Sequence, residues 1–226
     1  MGTLIGFEPP APYLQAQLRA RGHEVSLQRA ERAMRDEIAY YRAHLDDGRD
    51  AETLLDLRLR CADAMALDGI PRETVLDALL ASLHFFAYDD SAPALLALRQ
   101  AGFRLVVVSN WDFSLHERLA ETGLTPLLDG AISSAEAGAA KPDRRIFERA
   151  LELAGTRDGW HVGDTPEADV EGARATGLRP VLIARDGGDA RLTARVAESP
   201  RLTAQTSRAG VPLIGSLEEL IPLVTS

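Results

Sequence analysis

The chain has 226 residues, 46% of them hydrophobic and 26% charged, with a formal net charge of -9, enough apolar material to bury a core without disulfide or metal staples. Its arginines are interspersed with acids and form no clustered basic face, which argues against a nucleic-acid binder; no apolar run approaches the ~20 residues of a membrane span, and the amino terminus lacks the layout of a secretory signal. The single cysteine, Cys61, sits among apolar residues at helical spacing and reads as a buried structural thiol, so the expectation is a cytoplasmic protein of a reducing compartment.

In chain order, Gly2-Thr3-Leu4 reads as chain leaving the end of a strand, although no strand precedes it. From Pro9 to about Tyr88 the pattern is helical throughout. Leu27, Ala30, Met34, Ile38, Tyr41 and Leu45 recur at intervals of three and four, one face of a 3.6-residue period. Leu54, Leu57, Cys61 and Met65 repeat the device, with Asp50 as N-cap and Gly69 as stop, and Pro71 suits the first turn of the helix that follows. From Ser91 helices and short apolar strands alternate: a helix ending at Gly102, strand "LVVVS", helix, strand "GAISS", helix "DRRIFERALELAG", strand "WHVGD", helix "EADVEGARATG" and strand "RPVLIA". A polar excursion over 185–210 with a short helix in "ARLTARVA" is expected next, then a last strand and closing helix in "VPLIGSLEELIPLV". The alternation predicts an α/β domain, a Rossmann-like doubly wound parallel sheet with right-handed crossovers. The division expected is a core of 1–9 and 89–226 carrying an inserted helical unit over 10–88.

In an open parallel sheet ligands bind beyond the carboxyl ends of the strands. The polar residues there are Ser109-Asn110, Ser133-Ser134, Gly163-Asp164 and Arg185-Asp186, and the loop holding Lys141 lies on the same side. Of the 25 basic residues 24 are arginine, so a lone lysine at that edge asks for a compact ammonium rather than a planar fork. Asp164 and Asp169, five residues apart across a strand end and a helix start, can converge on one point; two such carboxylates are costly together unless a cation joins them, and hard oxygen ligands suit magnesium. Taken singly, each acid is also a fair turn or helix-start residue. His23, His44, His84, His116 and His161 read as surface or packed residues, and Trp111 and Asp112 line the site or, for Asp112, cap a helix.

The strand ending in Ser109-Asn110, then Lys141-Pro142-Asp143, then Gly163-Asp164 with Asp169, resembles in order and spacing the second, third and fourth motifs of the haloacid dehalogenase-like hydrolases. The helical unit stands where that superfamily inserts a cap, and "VVVSNWD", "KPDRRIFERAL" and "HVGDTPEADVEGARATG" resemble its small capped phosphatases. The resemblance implies that Thr3, Ser109, Asn110 and Lys141 bind the phosphoryl group of a small phosphorylated molecule and that Ser109, Asn110 and Lys141 act in its transfer. It implies further that Asp164 and Asp169 hold Mg2+, Asp169 also orienting Lys141, and that hydrolysis passes through an aspartyl-phosphate. Stabilisation of charge by preplaced cations and donors is the main demand of that chemistry.

Gly2-Thr3-Leu4 matches the tail of the family's first motif. By that match the nucleophilic aspartate falls two positions ahead of Met1, and the expectation is a reading frame that continues upstream into Asp-Xaa-Met-Gly-Thr-Leu, this stretch alone being inactive. The strand carrying that aspartate is central in the family, so without it "LVVVS" and "WHVGD" are expected to show unpaired edges unless water, another chain or a rearranged sheet replaces it. Met1 also stands where many family phosphatases have an acid/base aspartate, which keeps a 2-haloacid dehalogenase open. Asp164 and Asp169 favour the phosphatase, since carbon–halogen displacement needs no magnesium; a non-catalytic binding member is the third reading. No feature indicates an oligomeric state.

Overall fold

The structure, a computed structural model, describes residues 2–185 and 211–225; Asp186, the polar excursion and its short helix fall outside them. Strand β1 (Ile5–Phe7) leads into four helices, α1 (Pro10–Ala20), α2 (Leu27–His44), α3 (Ala51–Ala64) and α4 (Arg72–Leu80), and the chain returns through β2 (Phe85–Ala87), antiparallel to β1. Asp50 caps α3 through a reciprocal capping box with Thr53. The four helices close on Leu14, Leu18, Leu57, Met65 and Leu79, and Cys61 is buried among them.

Two details depart from the sequence reading. The stretch read as helical up to Tyr88 contains β2, three residues too short for their alternation to register. In α2 the buried face is Ala30, Ala33, Met34 and Glu37, with Leu27 exposed. Periodicity missed this because a charged residue is counted as polar wherever its side chain lies.

The remainder alternates as expected: α5 (Ser91–Gln100), β3 (Val106–Ser109), α6 (Leu115–Glu121), β4 (Gly130–Ser133), α7 (Ser134–Ala137), α8 (Arg144–Ala154), β5 (Trp160–Gly163), α9 (Gly172–Ala175), β6 (Arg179–Ile183), β7 (Leu213–Ile214) and α10 (Leu220–Thr225). A π-type turn over Pro166–Glu171 precedes α9. All strand pairs in this part are parallel, β3 with β4 and β5 with β6 and then β7. Helices cover both faces. Val106, Val108 and Ile132 pack against Ile146 and Phe147 of α8, while Val181 and Ile183 pack against Ala94 and Leu98 of α5 and Leu220 of α10. This is the doubly wound α/β arrangement.

Among the described residues no strand lies between β3 and β5. The space is a cavity of about 500 Å3 bordered by Val106–Ser109 on one side and Trp160–Val162 on the other. Every residue of β3 is therefore only half-buried, whereas a parallel strand covered on both faces would normally be enclosed. The unpaired facing edges agree with the expectation drawn from the sequence.

The helical unit meets the α/β part around Asp112. The Tyr41 hydroxyl donates to Asp112 Oδ2 at 3.0 Å and the Phe113 amide donates to the Gly48 carbonyl at 2.7 Å. Ser134 Oγ donates to Asp46, so three separate links tie α2 and the turn after it to the strand ends.

Candidate active site

Ser109, Asn110 and Asp164 stand at the carboxyl ends of β3 and β5, Lys141 in the loop between α7 and α8, Asp169 in the turn before α9, and Thr3 just ahead of β1. Ser109 ends β3 and lines the cavity, and Asn110 follows it. Both polar atoms of the Asn110 amide engage the Lys141 backbone: Nδ2 donates to the carbonyl at 3.0 Å and Oδ1 accepts from the amide at 2.7 Å. Asn110 thus holds the lysine loop against β3, a role the sequence does not show.

Lys141 Nζ donates to Asp169 Oδ1 at 2.6 Å and to the Val108 carbonyl at 3.1 Å. Asp169 is fully engaged. Its Oδ1 also accepts from His161 Nε2 at 2.9 Å, and its Oδ2 accepts from the Thr165 amide at 2.9 Å. Gly163 makes this possible: a Cβ there would lie 2.0 Å from Asp169 Cγ, so only glycine lets the carboxylate lie across the strand. His161 and Gly163 are two apart in β5 and share a face, which brings the imidazole to the same carboxylate.

Asp164 stands apart from that network and accepts from Thr3 Oγ1 at 3.1 Å. Gly2, at φ +94°, lets the backbone pass so close that a Cβ would meet Asp164 Oδ2 at 2.6 Å. The loop is fastened from behind by Arg185, whose Nε and one terminal nitrogen donate to the Thr3 carbonyl at 2.9 and 2.6 Å. The same guanidinium donates to Asp90 at 3.0 Å and lies over the Tyr88 ring.

The electrostatics separate the two acids. Burial pushes the Asp164 carboxyl up, and the charge of Asp169 adds to that. Burial also opposes ionisation of Asp169, yet the hydrogen bond from His161 and the Lys141 ammonium hold its carboxyl well below the usual range. Burial, followed by the Lys141 charge against the pull of Asp169, lowers the affinity of His161 for a second proton.

The structure therefore brings Ser109, Asn110, Lys141, Asp164 and Asp169 to one edge, with Thr3 beside Asp164. Thr3 is turned to that carboxylate. Arg185 was legible as a polar strand-end residue, but its grip on Thr3 spans 182 positions and leaves no local sign. His161 could have been found from its place two residues before Gly163.

The ordered convergence of these strand ends is matched by the model of one family, the haloacid dehalogenase-like hydrolases, over residues 2–177. The chain belongs to that family. Curated hydrolases of this kind share short stretches with it: haloacid dehalogenase-like hydrolase domain-containing protein 3 of Bos taurus is 43% identical over 88 residues, 38% of this chain and 35% of that protein. Phosphoserine phosphatase of Thermus thermophilus is 35% identical over 101 residues, 43% of this chain and 41% of that enzyme. The chain thus matches well under half the length of these relatives. Among solved structures, a phosphatase of the family from Thermococcus onnurineus aligns over 99% of this chain and 94% of its own at 23% identity and a TM-score of 0.62. A dehalogenase aligns over 100% and 94% at 22% identity and a TM-score of 0.65. At these identities the likeness concerns the fold. Among the described residues no helix is long and apolar enough to cross a membrane.

Proposed function

We propose that the chain serves a magnesium-dependent phosphatase of a small phosphorylated molecule, with the helical unit acting as its cap. The observation that carries this reading is the aimed ammonium. Lys141, 12% exposed, is fixed at its nitrogen by Asp169 and the Val108 carbonyl and along its backbone by Asn110, next to Ser109 at the mouth of the cavity. A fixed cation beside a hydroxyl donor is what a transferring phosphoryl group needs, because its charge spreads over peripheral oxygens.

The residues present fit a hard cation at one carboxylate. Asp164 is half-buried, is disfavoured as an anion where it stands, and among the described residues accepts from Thr3, so an added cation would relieve it. Both oxygens of Asp169 already accept hydrogen bonds, and it would act on the ion through water. Among the described residues no cluster of three or more acids, histidines or cysteines surrounds one point. When bound, the ion would neutralise charge on the phosphoryl oxygens. Ser109 would donate to one of those oxygens, Lys141 would balance the charge that develops, and Asn110 would keep the lysine in register.

The test uses this chain and a version lengthened at its amino end by about ten residues, room for one strand. Phosphate release from a panel of phosphomonoesters by the lengthened chain, abolished by a chelator and reduced at least about tenfold by Asp164→Asn, is the expected result. Chelator-insensitive halide release from a 2-haloacid would replace the reading with dehalogenation. Binding of phosphate without turnover by the lengthened chain would replace it with a non-catalytic role.

A further inference from the structure

Of the five histidines, His161 alone is buried, and it touches the group that holds the lysine. Asp169 Oδ1 is the carboxylate oxygen paired with the Lys141 ammonium at 2.6 Å and can only accept, so His161 Nε2, 2.9 Å from the same oxygen, carries the hydrogen and donates. The Phe147 ring packs edge-on against the imidazole at 5.0 Å between centroids, which fixes the plane of that donor. Asp169 Oδ1 then has one acceptor direction occupied by His161 at 2.9 Å, leaving the other for Lys141 at 2.6 Å, while Thr165 pins Oδ2.

We infer that His161 is a positioning residue: its Nε2–H locks the rotation of the Asp169 carboxylate, and that lock aims the Lys141 ammonium at the site. The consequence for turnover rests on the phosphatase reading, whereas the lock itself does not.

The lone lysine supplies a direct readout. Protein labelled with 15N-lysine has a single side-chain ammonium resonance, that of Lys141, and the buried pair is expected to slow its proton exchange enough to make it visible near neutral pH. His161→Leu should raise the exchange rate about tenfold, the scale of one lost hydrogen bond to a charged group, and His161→Gln, which restores an N–H donor, should recover most of it. Backbone amide spectra establish that each variant is folded. A folded His161→Leu with unchanged ammonium exchange would overturn the inference, and so would a folded His161→Gln that behaves like the leucine variant. Wild-type protein labelled with 15N-histidine provides a check independent of folding: His161 should show the Nε2–H tautomer, and an Nδ1–H tautomer would refute the lock. In the lengthened chain, His161→Leu is expected to lower kcat about tenfold with KM little changed. Failure of the phosphatase assay would leave the ammonium and tautomer results intact, so the two readings fail separately.

Discussion

Glu37 offers the sharpest test of the helical unit, because an acid stands where helix α2 buries its apolar face. The residue is 7% exposed, and burial, opposed in part by the neighbouring Cys61 thiol, pushes its carboxyl from 4.5 up to about 7. Between those values the folded chain holds a proton that the unfolded chain has released. Stability contributed by this group is therefore complete below pH 4.5 and is lost as pH rises through about 7. At about 1.4 kcal/mol per pH unit the loss amounts to about 3 kcal/mol. Glu37→Gln keeps the shape and a partner for Cys61 but cannot ionise. In urea unfolding followed at pH about 5 and about 8, the wild type should fall by about 3 kcal/mol relative to the glutamine variant, which becomes the more stable protein at the higher pH. Equal pH dependence in the two proteins, or a wild type still ahead at the higher pH, would refute the reasoning.

Two further substitutions probe the site. Gly163→Ala places a methyl 2.0 Å from Asp169 Cγ, and the strain of making room should cost about 1–3 kcal/mol in thermal or chemical unfolding and disturb the Lys141 ammonium resonance. Arg185→Met leaves the half-buried Asp90 carboxylate without its cation and the Thr3 carbonyl without two donors; the loss should cost about 1–3 kcal/mol, measured as a shift of the urea midpoint at unchanged slope.

The alternation of helices and strands, the cap at Asp50, and the polar residues at strand ends were legible because each is written within a few neighbouring positions. The same holds for Lys141, which stands out by composition, and for Asp164 and Asp169, which one strand and one turn bring close together. Glu37 shows the limit of that reading. Periodicity ranks residues by polarity, so it assigned the face of α2 to Leu27, which is exposed, and passed over an acid that packing encloses.

What the sequence by itself determined is the inventory: a doubly wound α/β chain, a helical insertion, and an ordered series of strand ends carrying Ser109, Asn110, Lys141, Asp164 and Asp169. What only the tertiary structure decided is how those groups divide their labour. Asn110 spends both polar atoms on the Lys141 backbone, Asp169 spends both oxygens on Lys141, His161 and Thr165, and Asp164 is left with Thr3. A hydrogen bond is directional and each donor or acceptor has few places to offer, so these allocations depend on where separate elements set the atoms in space. Residue order alone carries no record of that geometry.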